Sequence, residues 1–187
     1  MSHPRAPVLL LMCGVAFAGK TTLARRIASR CGHHRISLAE ILGQGPSLDL
    51  APAQWERAAD EAARQIDRLL GHGHDVVLDD SNASRVRRDR LRAVARHQDA
   101  KCLLVYLPLT LEQGLQRLAA DRVEHARPDV SEPLYRDHVA RFEPPAADEP
   151  ALWFLPGEDA LQWVGLHEHA LRVGSDNPSS PSQRQAT

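Results

Sequence analysis

The sequence predicts a three-layer α/β protein, with a mostly parallel sheet and helices on both of its faces. Two observations lead to this fold class. Short, continuous apolar runs recur along the chain, and the segments between them place apolar residues at helical spacing. Strands of a parallel sheet are buried on both faces, so they are apolar throughout, whereas the helices that cover them expose one polar face. The alternation therefore predicts helix, sheet and helix layers.

Composition excludes several other classes of protein. The 187 residues include 23 basic and 24 acidic side chains, and the net charge of −1 argues against general polyanion binding. A hydrophobic content of 43% with 25% charged residues fits one folded domain, expected over residues 1–173. The longest apolar run, Pro7 to Cys13, is far shorter than the roughly 20 residues of a membrane-spanning helix. With three cysteines and no signal-peptide pattern, we expect a cytoplasmic protein with reduced thiols.

The first part of the chain predicts two strands and two helices. Val8–Cys13 is a buried strand, and Lys20–Cys31 is a helix that ends at Gly32. Arg35–Leu38 is a short second strand. Pro52–Leu70 is a helix with proline in its first turn, and the glycines that follow stop it.

The middle of the chain continues the alternation. Val76–Leu78 is a strand that ends in two aspartates, and Ser84 is suited to cap a helix that runs to about residue 97. Lys101–Leu107 is another buried strand. Thr110 and Gln113 form a capping-box pair for a helix that ends near residue 121.

The last part of the chain is less regular. Val123–Val130 is a polar loop with a proline, and Ser131–Phe142 returns to helix. A proline-rich connector over Glu143–Pro150 leads to a last strand over Ala151–Leu155 and a closing helix over Glu158–Val173. Residues 174–187 are polar and proline-containing, and we expect them to be disordered.

A phosphate-binding motif follows the first strand. Gly14 to Thr21 matches the Walker A pattern G-x-x-x-x-G-K-S/T between a strand and a helix, which is the context that the motif requires. Its glycines let backbone N–H groups converge on an anion at a helix N-terminus. Lys20 is expected to reach the β- and γ-phosphates, and the Thr21 hydroxyl to bind Mg²⁺. The predicted nucleotide-binding residues of the loop are Gly14, Ala16, Phe17, Ala18, Gly19, Lys20, Thr21 and Thr22.

Two carboxylates end the third strand. Asp79 and Asp80 are expected at the same sheet edge as the phosphate loop, because ligands bind beyond the carboxyl ends of parallel strands. A carboxylate there either binds Mg²⁺ or accepts the proton of a substrate hydroxyl. Neighbouring strand residues point in opposite directions, so the two are not expected to share one role. A structural alternative is that this segment only caps the following helix.

Arginines form two groups of candidates. Six lie between residues 85 and 96, and Arg85 and Arg88 are the expected substrate contacts because they start near Asp80. The alternative for this group is a solvated helix face. Arg122 and Arg127 are candidates to close over the γ-phosphate, with Arg117 on the nucleotide side. Their alternative role is ordinary surface charge.

These segments together resemble a known family. The segments are Gly14–Thr22, Ile36–Leu38, Asp79–Asn82, Val105–Pro108 and Arg141–Pro145. They resemble a bacterial P-loop kinase-like ATP-binding group over about residues 7–145. The sequence is similar to the 5′-hydroxyl kinase domain of polynucleotide kinase, and more distantly to zeta toxins and chloramphenicol phosphotransferase.

The resemblance implies a five-stranded sheet, a nucleotide (ATP, or GTP), Mg²⁺, and a helical, arginine-bearing lid over about residues 121–142. It assigns Lys20 and Thr21 to phosphate and Mg²⁺, Asp80 and Asn82 to the motif after the third strand, and either Arg122 or Arg127 to the lid. We expect Asp79 to be the second Mg²⁺ ligand and Asn82 to contact the substrate. Relatives usually have an aspartate as the base just after the second strand, where this chain has Ala39 followed by Glu40. Glu40 is the base from a shifted register, or Asp79 or Asp80 replaces it, or Ala39 is an engineered change.

The sequence therefore predicts a kinase that phosphorylates a hydroxyl of a small molecule or of a nucleic-acid 5′ end. Trp55 and the segment from Gly43 to Pro52 are expected to border the acceptor pocket. The partners are the nucleotide and the acceptor, with no membrane, and the oligomeric state is left open. The alternative, motivated by Ala39, is a regulatory ATP-binding module without transfer activity.

Overall fold

The computed structural model describes residues 5–43, 51–124 and 130–174, apart from the side chains of residues 122–124. Five strands and seven helices lie in these ranges. The strands are β1 (Val8–Cys13), β2 (His34–Ser37), β3 (Val76–Asp79), β4 (Lys101–Tyr106) and β5 (Ala151–Trp153). The helices are α1 (Lys20–Cys31), α2 (Leu38–Ile41), α3 (Pro52–Gly71), α4 (Arg85–His97), α5 (Leu111–Glu124), α6 (Glu132–Ala140) and α7 (Ala160–Val173).

The five strands form one sheet in the order β2-β3-β1-β4-β5, and every pairing between them is parallel. All six residues of the central strand β1 are buried, as the apolar run predicted. Alternate residues of β1 serve opposite faces. Leu10 packs with α1 and α7 on one face, and Leu11 packs with α3 and α4 on the other. The predicted three-layer fold is confirmed.

Several strand and helix boundaries in the structure differ from the predicted ones. The second strand ends at Ser37 rather than Leu38, because the Ser37 side chain accepts a hydrogen bond from the Glu40 N–H and begins the short helix α2. Helix α5 runs through Glu124 instead of stopping near residue 121, so residues 123 and 124 are helical rather than loop. The rest of the predicted loop, residues 125–129, lies outside the described residues.

The C-terminal elements are shorter than predicted. Helix α6 ends at Ala140, and β5 covers only Ala151–Trp153. Helix α7 starts at Ala160 because the Asp159 side chain accepts from the Gln162 N–H. Gly174 caps α7 in a left-handed conformation (φ 58°) instead of belonging to the expected disordered tail. Residues 175–187 lie outside the described residues, so the disordered tail and the single domain stay predictions.

A buried ion pair attaches the proline-rich connector to α4. The Nε and terminal NH2 of Arg88 donate to the two carboxylate oxygens of Glu149, both at 2.8 Å. Both side chains are only 1% exposed. The second terminal nitrogen of Arg88 donates to the carbonyl oxygens of Asn82 (3.0 Å) and Glu143 (2.9 Å). Arg88 therefore holds both the loop after β3 and the connector.

The protein is expected to lose stability on acidification because of Glu149. Burial raises the pKa of this carboxyl, but hydrogen bonds from Arg88, the Ala146 N–H and Arg92 outweigh burial and lower the pKa from 4.5 to about 2. The folded state therefore binds this proton less readily than the unfolded state. The stabilisation is present above pH 4.5 and is lost as the pH falls towards about 2.

Thermal unfolding followed by circular dichroism between pH 6 and pH 2.5 tests this prediction. The melting temperature of wild type should fall more steeply than that of Glu149→Gln over this range, because other carboxylates contribute equally to both proteins. Parallel curves for the two proteins would contradict the assignment.

Candidate active site

The loop between β1 and α1 depends on glycine and on left-handed backbone. A Cβ atom on Gly14 would lie 2.7 Å from the Leu107 carbonyl oxygen, so only glycine fits there. Gly19 (φ 98°) precedes the first turn of α1, and Phe17 is also left-handed (φ 65°). The Gly14 N–H donates to the Ser81 carbonyl at 3.1 Å, which ties the loop to the segment after β3.

The two predicted catalytic segments meet at the start of α1. The Thr21 hydroxyl donates to Oδ1 of Asp79 at 3.2 Å. Beside them, Lys20 Nζ donates to the Val15 carbonyl at 2.7 Å, so the ammonium lies against the loop. The parallel pairing of β1 with β3 brings the phosphate loop and the acidic strand end to one sheet edge.

Arg35 on β2 is a site residue that the sequence analysis missed. Its Nε and NH2 donate to Asp79 Oδ2 at 3.0 and 2.7 Å, and its NH1 donates to Glu40 at 2.7 Å. Arg35 thus fixes the Asp79 carboxylate from the side opposite Thr21 and also engages Glu40. The signal in the sequence was an arginine inside a short strand, followed by an acidic residue five positions later.

Asp80 and Asn82 take different places after β3. Asp80 faces the cavity described below, and its Oδ2 accepts from the Asn82 N–H at 3.4 Å. The Asn82 side chain is buried and donates to the Met12 carbonyl at 2.7 Å, with its own backbone left-handed (φ 45°). Asn82 therefore holds the segment after β3 against β1 and does not line the cavity.

These groups line one cavity of about 860 Å³. Its volume is within the range of about 300–1,000 Å³ that is typical of small-molecule sites. One wall is the phosphate loop, a second is the end of β3, and a third is formed by α2 with the start of α3. The predicted loop residues that line it are Ala16, Phe17, Gly19, Lys20, Thr21 and Thr22. Gly43, Pro52 and Trp55 also line it, while residues 44–50 lie outside the described residues.

Comparison with known proteins agrees with this geometry. A sequence profile for the family described as AAA domain matches residues 9–145. The chain belongs to this AAA domain family. Its fold is that of P-loop kinases, as the resemblance implied. No curated protein sequence matches the chain significantly.

Solved structures of kinases share the fold of this AAA domain protein at low sequence identity. The APS kinase CysC of Mycobacterium tuberculosis, in complex with AMPPNP and APS, has a TM-score of 0.68 at 12% identity, covering 90% of this chain and 99% of that one. A gluconokinase from Sinorhizobium meliloti has a TM-score of 0.64 at 18% identity, covering 89% and 93%. A chain of the Pnkp1/Rnl/Hen1 RNA repair complex has a TM-score of 0.62 at 22% identity, covering 75% and 45%.

The α4 arginines of this AAA domain protein are not where the sequence analysis expected them. Arg88 is fully buried against Glu149 and is not available to a substrate. Arg85 lies outside the cavity lining, with its terminal nitrogens donating to both oxygens of Asp148 at 2.7 Å. Arg87 lines the cavity instead. A signal was present, because Arg88 precedes the buried Leu91 and Ala95 by three and seven residues and so shares their face.

The remaining predicted residues lie around α5 and α6. Arg117 donates to the Phe17 carbonyl at 2.9 Å and lines a smaller cavity of about 250 Å³ with Ala18. The Arg122 side chain and all of Arg127 lie outside the described residues. His138 on α6, which the sequence analysis did not single out, accepts a hydrogen bond from the Ala16 N–H of the loop at 3.1 Å.

The oxygen ligands at this edge suit magnesium. Mg²⁺ binds hydroxyl, carboxylate and phosphate oxygens, and the Thr21 hydroxyl lies beside the Asp79 carboxylate. Among the residues that the structure describes, no cluster of three or more histidine, cysteine or acidic side chains could hold a metal. No helix in the described ranges is long and apolar enough to cross a membrane.

Proposed function

We propose that the protein is an ATP- and Mg²⁺-dependent kinase that phosphorylates a hydroxyl group of a small molecule or of a nucleic-acid 5′ end. One observation supports this most directly. A single cavity is lined by the phosphate loop, by the acidic end of β3, and by a separate wall of α2 and α3 that is suited to an acceptor. A module that only bound the nucleotide would not need that third wall.

The phosphate loop and the end of β3 supply the nucleotide side of the site. The loop N–H groups and Lys20 bind the phosphates, and GTP would fit this loop as ATP does. Thr21 and Asp79 would hold Mg²⁺, which neutralises charge on the phosphates when it is bound. Arg35 keeps the Asp79 carboxylate oriented for this role through two hydrogen bonds.

Asp80 is the general base in this proposal. Both Asp79 oxygens accept hydrogen bonds from Thr21 or Arg35, and Glu40 is paired with Arg35, whereas Asp80 forms no ion pair among the described residues. The acceptor oxygen forms a bond to the γ-phosphorus as the bond to the β-phosphate oxygen breaks, and the hydroxyl proton passes to Asp80. The products are the phosphorylated acceptor and the nucleoside diphosphate.

The cavity also has an aromatic ring on α3 and two arginines, one each from α1 and α4. Trp55, Arg25 and Arg87 line the cavity, and neither arginine forms an ion pair within the described part of the chain. Arg87 takes the substrate-contacting role that the sequence analysis gave to Arg85 and Arg88. Arg122 and Arg127 remain proposed lid arginines.

Transfer of labelled phosphate from ATP to a panel of oligonucleotides, nucleosides, sugars and aminoglycosides tests the proposal. We expect one acceptor class to be labelled. Asp80→Asn should lower kcat by about 10²–10⁴-fold, because the hydroxyl loses its base, while ATP affinity stays within a few-fold of wild type. No transfer to any acceptor, together with no ATP binding by calorimetry, would contradict the proposal.

Ala39 is the observation that favours a second candidate, a regulatory ATP-binding module. Ala39 lines the cavity and supplies no carboxylate there. If this candidate is correct, wild type and Ala39→Asp both bind ATP and neither transfers phosphate. Transfer by wild type excludes it. For a nucleic-acid acceptor, binding of 5′-hydroxyl oligonucleotides should weaken steeply with salt and in Arg87→Ala.

A further inference from the structure

His138 places an imidazole nitrogen on the phosphate loop. Its Nε2 accepts a hydrogen bond from the Ala16 N–H at 3.1 Å, across 122 residues of sequence. The same side chain lines the large cavity together with Lys20 and Asp80. A nitrogen in this position lies beside the groups that bind the nucleotide phosphates.

Packing fixes α6 in this position. Tyr135, one turn before His138, is fully buried and meets Phe17 of the loop edge-on, with ring centroids 5.7 Å apart. On the other side Tyr135 packs against α5, where a Cβ atom on Gly114 would lie only 1.8 Å from its hydroxyl. The glycine permits this close approach of the two helices, and the approach sets α6 against the loop.

The electrostatic surroundings of His138 keep its ring neutral while no phosphate is bound. Burial and the nearby ammonium of Lys20 lower the pKa of His138 to about 4, against weaker opposing effects of Asp80 and Asp137. Asp137 itself accepts a hydrogen bond from Arg141, the other basic side chain of this segment in the cavity. The neutral ring therefore accepts from Ala16 at neutral pH. Several phosphate charges next to the ring would favour the protonated form.

We propose that His138 is a catalytic residue, which turns from the Ala16 N–H to the terminal phosphoryl group, takes up a proton and donates a hydrogen bond to a phosphate oxygen. The inference rests on the proposed kinase function. An imidazolium at this position stabilises the negative charge that spreads over the oxygens of the transferred phosphoryl group during the reaction. The residue thus adds a cationic donor from α6 to the one that Lys20 supplies from α1.

Calorimetric titration with a non-hydrolysable ATP analogue and, separately, with ADP tests this inference at pH 7 with Mg²⁺. Each titration is run in two buffers of different ionisation enthalpy, which gives the protons taken up on binding. With the ATP analogue, wild type should take up more protons than His138→Gln, by up to about one. With ADP, which has no terminal γ-phosphoryl group, the two proteins should differ little. His169→Gln, a change at an exposed histidine of α7, is the matched control and should behave as wild type.

Steady-state kinetics provide a second measurement. His138→Gln keeps an acceptor for the Ala16 N–H but has no titratable proton, so we expect kcat to fall by about 10²-fold with little change in the KM for ATP. Equal proton uptake and equal kcat in wild type and His138→Gln would overturn the inference alone. Wild type that binds neither nucleotide would overturn the proposed function as well. If His138→Gln does not fold, proton uptake by wild type with the ATP analogue is compared with its uptake with ADP. Equal proton uptake for the two nucleotides would overturn the inference.

Discussion

Lys20→Ala is expected to lower kcat for phosphoryl transfer by about 10²–10³-fold, because the change removes a cationic donor from the developing charge on the phosphates. The ammonium is already placed at the loop by its hydrogen bond to the Val15 carbonyl at 2.7 Å. Lys20→Arg should not restore the rate, since a planar guanidinium does not replace a compact ammonium in so close a site. The measurement is single-turnover transfer of labelled phosphate at saturating ATP.

The chain offers a matched control for this variant. Only two of its 23 basic residues are lysines, and the other, Lys101, is an exposed residue at the start of β4. Lys101→Ala should keep wild-type kcat. A Lys20→Ala protein with wild-type turnover would show that the loop does not act on the transferred phosphate.

Arg88→Ala is expected to have the largest effect on stability. Removing one partner of a buried ion pair costs about 3–5 kcal/mol of the free energy of unfolding. We expect the lower part of this range, because Arg92 and the Ala146 N–H still contact the Glu149 carboxylate. For a protein of this size the change corresponds to a fall of about 6–20 °C in melting temperature. The carbonyl groups of Asn82 and Glu143 would also lose their donor. Differential scanning calorimetry measures the shift.

Two further variants separate this effect from a general one. Arg87→Ala changes the half-buried neighbour, which forms no ion pair in the described part of the chain. It should leave the melting temperature within about 2 °C of wild type, since substitutions away from buried networks alter stability by about 0.5 kcal/mol or less. The double variant Arg88→Met with Glu149→Leu should be more stable than Arg88→Ala, because an apolar pair leaves no buried charge. An Arg88→Ala protein with the melting temperature of wild type would contradict a stabilising role for the buried ion pair.

Local patterns of the sequence were enough to predict the loop between β1 and α1. Residues from Gly14 to Thr21 are consecutive, so their glycine spacing and the flanking strand and helix specify the loop without information from elsewhere in the chain. The strand end at Asp79 and Asp80 was equally accessible, because the apolar run before it marks a buried strand and parallel strands end at a common edge. The helix start at Ser84 followed from capping chemistry, and its side chain does accept from the Arg87 N–H.

The arginines of α4 show where such patterns stop. The density of positive charge made every arginine of α4 a candidate. Arg87 lines the cavity and Arg88 lies in the core because of the face of α4 that packs on the sheet. The apolar Leu91 and Ala95 contained that information. The partner, Glu149, lies 61 residues further on in an irregular connector, and no local pattern points to it.

The sequence by itself determined the fold class and the phosphate loop, because apolar periodicity and glycine spacing act over neighbouring residues. Only the tertiary structure decided which side chains surround that loop. Arg35 reaches Asp79 through the pairing of β2 with β3, and His138 reaches Ala16 through the packing of Tyr135 between Phe17 and Gly114. Contacts of this kind join residues that are far apart in the chain. They depend on strand register and helix docking, which are set by the whole core and not by any one segment.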